Sequence, residues 1–177
     1  VTGAILGVNP FDQPDVQKTK TATERLLRDF TAQGQAPHVG SAGSPGDLLS
    51  KAGEGKYLSI MVYIQQTPEL DRAFANLRRK VMAKYRMATT LGYGPRFLHS
   101  TGQLHKGGPN TGLFLQLTAA REKDLPVPGS PYSLGMIADA QALGDFEALQ
   151  AAGRQVARIH SPTDDPASIA RLIDGLI

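Results

Sequence analysis

Apolar runs break the chain at five places: GAILGV (3–8), YLSIMVYI (57–64), MATTLGY (87–93), GLFLQLT (112–118) and RQVARIHS (154–161). Each is short, unlike a helix of ten or more residues, and several are rich in β-branched or aromatic side chains, so each predicts a strand.

Between the runs the apolar positions recur at helical spacing. Val16, Lys20, Thr23 and Leu27 follow one another at intervals of four, three and four, with Leu26 and Phe30 alongside. Pro14 suits the first helical position, where a missing N–H costs nothing, and Asp12 before it can cap free amides. A helix from Pro14 to about Ala32 is predicted, ended by Gly34. Thr67, Pro68 and Glu69 open a second helix whose buried stripe is Leu70, Phe74, Leu77, Val81 and Tyr85. Its acids, Glu69 and Asp71, stand at the start, and its bases, Lys80, Lys84 and Arg86, stand near the end, which complements the helix dipole. That basic cluster reads as a solvated face and not as a nucleic-acid surface. YSLGMIADAQALGDFEALQAAG predicts two short helices, with Gly144 ending the first and Asp145 capping the second. A last helix is expected from about Pro166.

Strands alternating with helices predict an α/β fold: a three-layer arrangement with a largely parallel sheet of about five strands and helices on both faces. The expected division is a terminal strand and helix over 1–34, a Gly/Ser/Pro-rich linker over 35–55, and an α/β domain over 56–177, with one compact domain of all three as the alternative. In such sheets ligands sit at the carboxyl ends of the strands.

Composition narrows the chemistry. The chain has no cysteine, which removes disulfides, thiolate catalysis and cysteine-ligated zinc. No apolar run approaches the roughly 20 residues of a membrane-spanning helix. A formal charge of +3 permits anionic ligands without requiring nucleic acid. The chain opens on Val1 inside an apolar run, from which a piece of a longer polypeptide is expected.

Lys20 is the anomaly of the first helix, because it shares a face with apolar neighbours. Such a lysine pairs with an acid, lines a wet cleft that receives anions, or snorkels its head to water. VNPFDQPDV and HSPTDDPASI share a proline, aspartate, proline spacing after a predicted strand, and the place of Lys20 is taken by Leu172 in the second copy. That contrast favours a chemical role for Lys20.

The second notable stretch is GYGPRFLHSTGQLHKGGPNTG (92–112), which gathers Arg96, His99, Ser100, Thr101, His105, Lys106 and Asn110 around a glycine pair. Its glycines permit close backbone approach, and the set suits a phosphate or a sugar. The spacing fits neither a Walker loop nor a zinc helix, and Ser100 lacks the elbow of a hydrolase nucleophile. A polar loop with satisfied histidines is the alternative.

NPFDQPDVQKTK resembles the closing motif of the phosphoglucose isomerases, in which a glutamine after the Phe-Asp pair contacts substrate and a lysine seven residues later belongs to the active site. The later stretches YLSIMVYI, GYGPRFLHSTGQLHKGGPNTG, LFLQLT, DLPVPG and GDFEAL resemble the region that follows this motif in bifunctional transaldolase/phosphoglucose isomerases. The resemblance implies the C-terminal portion of a cytoplasmic glucose-6-phosphate isomerase, interconverting glucose 6-phosphate and fructose 6-phosphate through an enediol. It implies Lys20 as a catalytic residue and Gln13 as a substrate contact, with a sugar phosphate as ligand. His99, Ser100, His105, Lys106 and Asn110 are further candidates for substrate binding. The implied partners are upstream isomerase and transaldolase domains, with a homodimer as a further expectation, and no cofactor, metal, nucleic acid or membrane. The family's glutamate base and phosphate loop lie upstream of the motif, so the chain is expected not to isomerise alone.

Overall fold

A computed structural model describes residues 1–33 and 38–177; the expected helix end at Gly34 lies outside them. Four strands, β1 (Tyr57–Tyr63), β2 (Ala88–Tyr93), β3 (Gly112–Ala119) and β4 (Gln155–Ser161), form one sheet in the order β2-β1-β3-β4. All three neighbouring pairs are parallel. The helices are α1 (Thr2–Leu6), α2 (Pro14–Gln33), α3 (Pro45–Leu49), α4 (Pro68–Tyr85), α5 (Gly102–Gly107), α6 (Leu134–Ala151) and α7 (Pro166–Asp174), with a 3₁₀ turn over Arg96–His99.

Side chains alternate between two buried faces. Leu58, Ile60 and Val62 of β1 and Leu113, Leu115 and Leu117 of β3 meet Leu48 of α3, Phe74 and Leu77 of α4, and Ile169 and Ile173 of α7. On the other face, Met61, Tyr63 and Phe114 meet Phe97 and Leu98 of the 3₁₀ turn and Ala142 and Leu149 of α6. Each such fully buried side chain is worth about 1.5–3 kcal/mol against exposure. The α/β architecture with helices on both faces is therefore as expected, and β1 to β4 coincide with four of the five predicted strands.

The fifth expected strand is a helix. GAILGV folds as α1, closed by Gly7 at φ 65, with the Ile5 amide donating to the Val1 carbonyl at 3.1 Å. A strand needs a hydrogen-bonded neighbour, and a run flanked by glycines can satisfy its backbone locally instead. The single helix α6 also replaces the two short helices read from the sequence. Gly144 lies inside it, where a Cβ would stand 2.8 Å from Thr23 Oγ1 and 3.1 Å from the Thr23 amide. The glycine lets α2 press onto α6 instead of ending a helix.

The described part of the expected linker is packed. Ala42 exchanges backbone hydrogen bonds with Arg158 at 2.9 and 2.7 Å, covering the β4 edge, and Leu48 and Leu49 enter the core. An exposed edge invites unwanted pairing, so this segment does more than connect. At the start of α2, the Asp15 amide is capped from α5 by Gln103 Oε1 at 3.1 Å, and Gln103 Nε2 returns a bond to Asp15 Oδ2 at 2.7 Å. The cap expected from Asp12 is thus supplied by tertiary contact.

Candidate functional site

Lys20 is exposed at its position on α2 and lines a cavity of about 250 Å³. Glu24 stands one turn further along the same wall, and the 3₁₀ turn contributes His99. Val16, Leu27, Leu98 and Ile137 make much of the surface apolar, while Gln141 adds polar atoms and Lys106 lies behind the wall. The lysine on the apolar stripe therefore lies on the wall of a largely apolar cavity with its side chain exposed, a placement that both the cleft reading and the snorkelling reading allow. Leu172, which occupies the equivalent place in α7, packs partly against the core.

The loop residues that the sequence grouped are divided by the 3₁₀ turn and α5. His99 and Lys106 face the Lys20 cavity. Ser100 and His105 line a second cavity of about 350 Å³ against β1 and β2, together with Arg96 and Thr101. The split follows from helix geometry, since neighbouring residues point in directions about 100° apart. Gln13 and Asn110 are exposed and line neither cavity. Asn110 serves structure instead: its carbonyl accepts from Lys56 Nζ at 2.8 Å and its side-chain amide donates to the Gly153 carbonyl at 3.4 Å.

The two lysines at the first cavity differ in availability. Lys106 has a side chain only 2% exposed and forms an ion pair with the fully buried Asp145 of α6 at 2.5 Å. Burial pushes the Asp145 carboxyl up, and the Lys106 charge opposes this. The buried phenol of Tyr63 is raised well above its usual value, first by burial and then by the Asp145 charge. The Lys106 charge is thus paired where it stands, and of the two lysines only Lys20 is exposed at the cavity wall. The sequence reading missed Tyr63 and misassigned Asp145; the available signal was an acid beside the stripe Ala142, Phe146 and Leu149.

His105 is buried between the rings of Phe97 and Phe114, with centroids 6.1 and 5.1 Å away. Burial, helped by the neighbouring Lys106 charge, lowers its pKa to about 4, so the imidazole is neutral near pH 7.

A third crevice, of about 380 Å³, lies at the carboxyl ends of β1 and β3. Ligands of parallel sheets favour that place. Thr67, the cap of α4, borders it with Arg121, Lys123 and Asp164. Arg121 pairs with Asp139 at 2.5 Å. Among the described residues, no cluster of three or more histidine, aspartate or glutamate side chains is arranged to hold a metal ion. No described helix is long and apolar enough to cross a membrane.

No family model matches the chain, and no curated protein does. Among solved structures, it is similar to the crystal structure of a hypothetical protein from Thermus thermophilus, with a TM-score of 0.63 and 22% identity. The likeness covers 73% of this chain and 35% of that one, so this chain spans about a third of that protein, and what is shared is the fold.

Proposed function

We propose that this chain is the C-terminal, sugar-phosphate-facing portion of an aldose-ketose isomerase that interconverts glucose 6-phosphate and fructose 6-phosphate. The observation that carries the reading is the convergence of Lys20 and His99 on one cavity from segments far apart in sequence. It adds to the resemblance of NPFDQPDVQKTK to the closing motif of phosphoglucose isomerases.

In this reading, the Lys20 ammonium stands beside the ring or carbonyl oxygen and stabilises the negative charge that develops as the enediol forms. Gln13, which the motif resemblance makes a substrate contact, stands outside the Lys20 cavity just before α2, and in this reading it meets substrate only once the upstream isomerase sequence completes the site. The carboxylate that moves the proton between the two carbons comes from upstream isomerase sequence, in a parent chain that also carries transaldolase. The isolated chain then binds without turning over.

The test is an NMR titration with 6-phosphogluconate, which cannot isomerise. Joint saturable shifts at Lys20 and His99 are expected, with no isomerisation in a coupled assay. Turnover by the isolated chain, or binding that leaves both residues unmoved, would overturn the reading.

A second reading, a structural module that stabilises the isomerase domain or its dimer, is favoured by one observation. Val1, Ile5, Leu6, Val8 and Phe11 are large apolar residues exposed together at one end of the chain. In that case no sugar phosphate binds, and the parent enzyme loses stability when these residues are made polar.

A further inference from the structure

The second face of β2 differs from the first. Towards α4, β1 buries Leu58 and Ile60, and Leu91 of β2 packs partly buried against the same core. On the opposite side, Ser59 of β1, which is buried, and Thr90 of β2, which is exposed on the edge strand, stand as register partners and bring two hydroxyls together. The 3₁₀ turn closes over them because Gly92 has no side chain; a Cβ there would stand 2.8 Å from Phe97 Cβ. A cavity of about 350 Å³ results, with Ser100 and Thr101 on the opposing wall.

The polar groups of this cavity are oriented but not saturated. The Ser100 and Thr101 hydroxyls both donate to the Phe97 carbonyl at 3.1 Å, which fixes their oxygens and leaves each with acceptor capacity. His105 is only 4% exposed, and among the described residues its Nδ1 has no hydrogen-bond partner. A buried polar nitrogen without a partner is costly unless something brings one. Arg96, exposed at the rim, contacts Gln66 only at 3.4 Å.

We propose that this cavity is a binding site, separate from that of Lys20, for a monosaccharide-sized polyol bearing one anionic group. The polyol lies among Ser59, Thr90, Ser100, Thr101 and His105, and its anionic group faces Arg96. The interior favours hydroxyls because it holds no charge: His105 is neutral through burial and the adjacent Lys106. The rings of Tyr93 and Phe97 offer apolar surface to the C–H faces of such a molecule. The walls share no residue with those of the Lys20 cavity, so the site stands whether or not the isomerase reading does.

The test is a titration of the chain with sorbitol 6-phosphate, sorbitol and inorganic phosphate, followed at the His105 imidazole and at the Thr90 and Ser100 amides. Sorbitol 6-phosphate should give saturable shifts at all three positions. Thr90→Val, an isosteric change on a strand, should weaken its binding about tenfold, as loss of one well-placed hydrogen bond does. Arg96→Gln should reduce it to the level of sorbitol. Ser100→Ala replaces Thr90→Val if that variant fails to fold. The proposal is overturned if His105 does not respond at about 10 mM, or if inorganic phosphate alone reproduces the response.

Discussion

Lys106 of α5 and Asp145 of α6 meet at 2.5 Å with both side chains out of water, tying α5 to α6 beneath the cavity that Lys20 and His99 line. Neither charge tolerates loss of the other. Removing one partner of a buried pair typically costs about 3–5 kcal/mol, because an uncompensated charge is left behind. Asp145→Asn and Lys106→Met should each lower stability by that order in urea unfolding. The double variant Lys106→Met/Asp145→Leu should recover most of the loss, since apolar replacement of both partners is often neutral. Single variants within about 1 kcal/mol of the parent would mean that water reaches the pair.

That pair also marks where sequence reading stops. The four strands were legible because each is a short apolar run, and α4 and α7 were legible because Thr67 and Pro166 announce them. Local pattern cannot say whether an apolar run will find a neighbour, so GAILGV read as a strand and folds as a helix. Nor can it tell a glycine that ends a helix from one that admits another helix, which is how Gly144 was misread. Lys20 and His99 were legible as chemistry, but their shared cavity is a tertiary fact. The side chains of Ser100, His105 and Lys106 looked like one set until the 3₁₀ turn and α5 sent them to opposite sides.

Gly144→Ala sets two effects against each other. Alanine gains roughly 1 kcal/mol of helix propensity over glycine. The new Cβ would meet Thr23 Oγ1 at 2.8 Å and the Thr23 backbone nitrogen at 3.1 Å, and the backbone atom cannot rotate away. Overpacking of this kind costs about 1–3 kcal/mol, so a net loss is expected. Urea unfolding measures the loss, and amide exchange should speed up first in α2. A stabilised variant would show that α2 is free to shift away from α6.

Lys20→Ala separates function from folding. The side chain is exposed on the cavity wall, so stability should change by no more than about 0.5 kcal/mol. Affinity for 6-phosphogluconate should fall at least about tenfold, and the binding that remains should depend less on salt. Isothermal titration at two ionic strengths checks both statements. Unchanged affinity would leave Lys20 without a role in binding.

His105 supplies a pH dependence of definite sign. Its folded pKa, lowered first by burial and then by the Lys106 charge, is about 4, against an ordinary value of 6.5. On acidification the unfolded chain therefore takes up this proton before the folded one does. The contribution of His105 to stability is complete above pH 6.5, declines as the pH falls towards about 4, and changes no further below that. The gap corresponds to about 3 kcal/mol at most. Carboxylates titrate in part of the same range, so the quantity to measure is the difference between the parent and His105→Gln, whose side chain carries no proton in this interval. Urea midpoints at several pH values between 7 and 4 should converge for the two proteins as the pH falls, because only the parent loses this contribution. Parallel curves would mean that the imidazole accepts its proton in the folded state as readily as in water. In that case the interior of the second cavity is hydrated, and the uncharged environment on which its selectivity rests is absent.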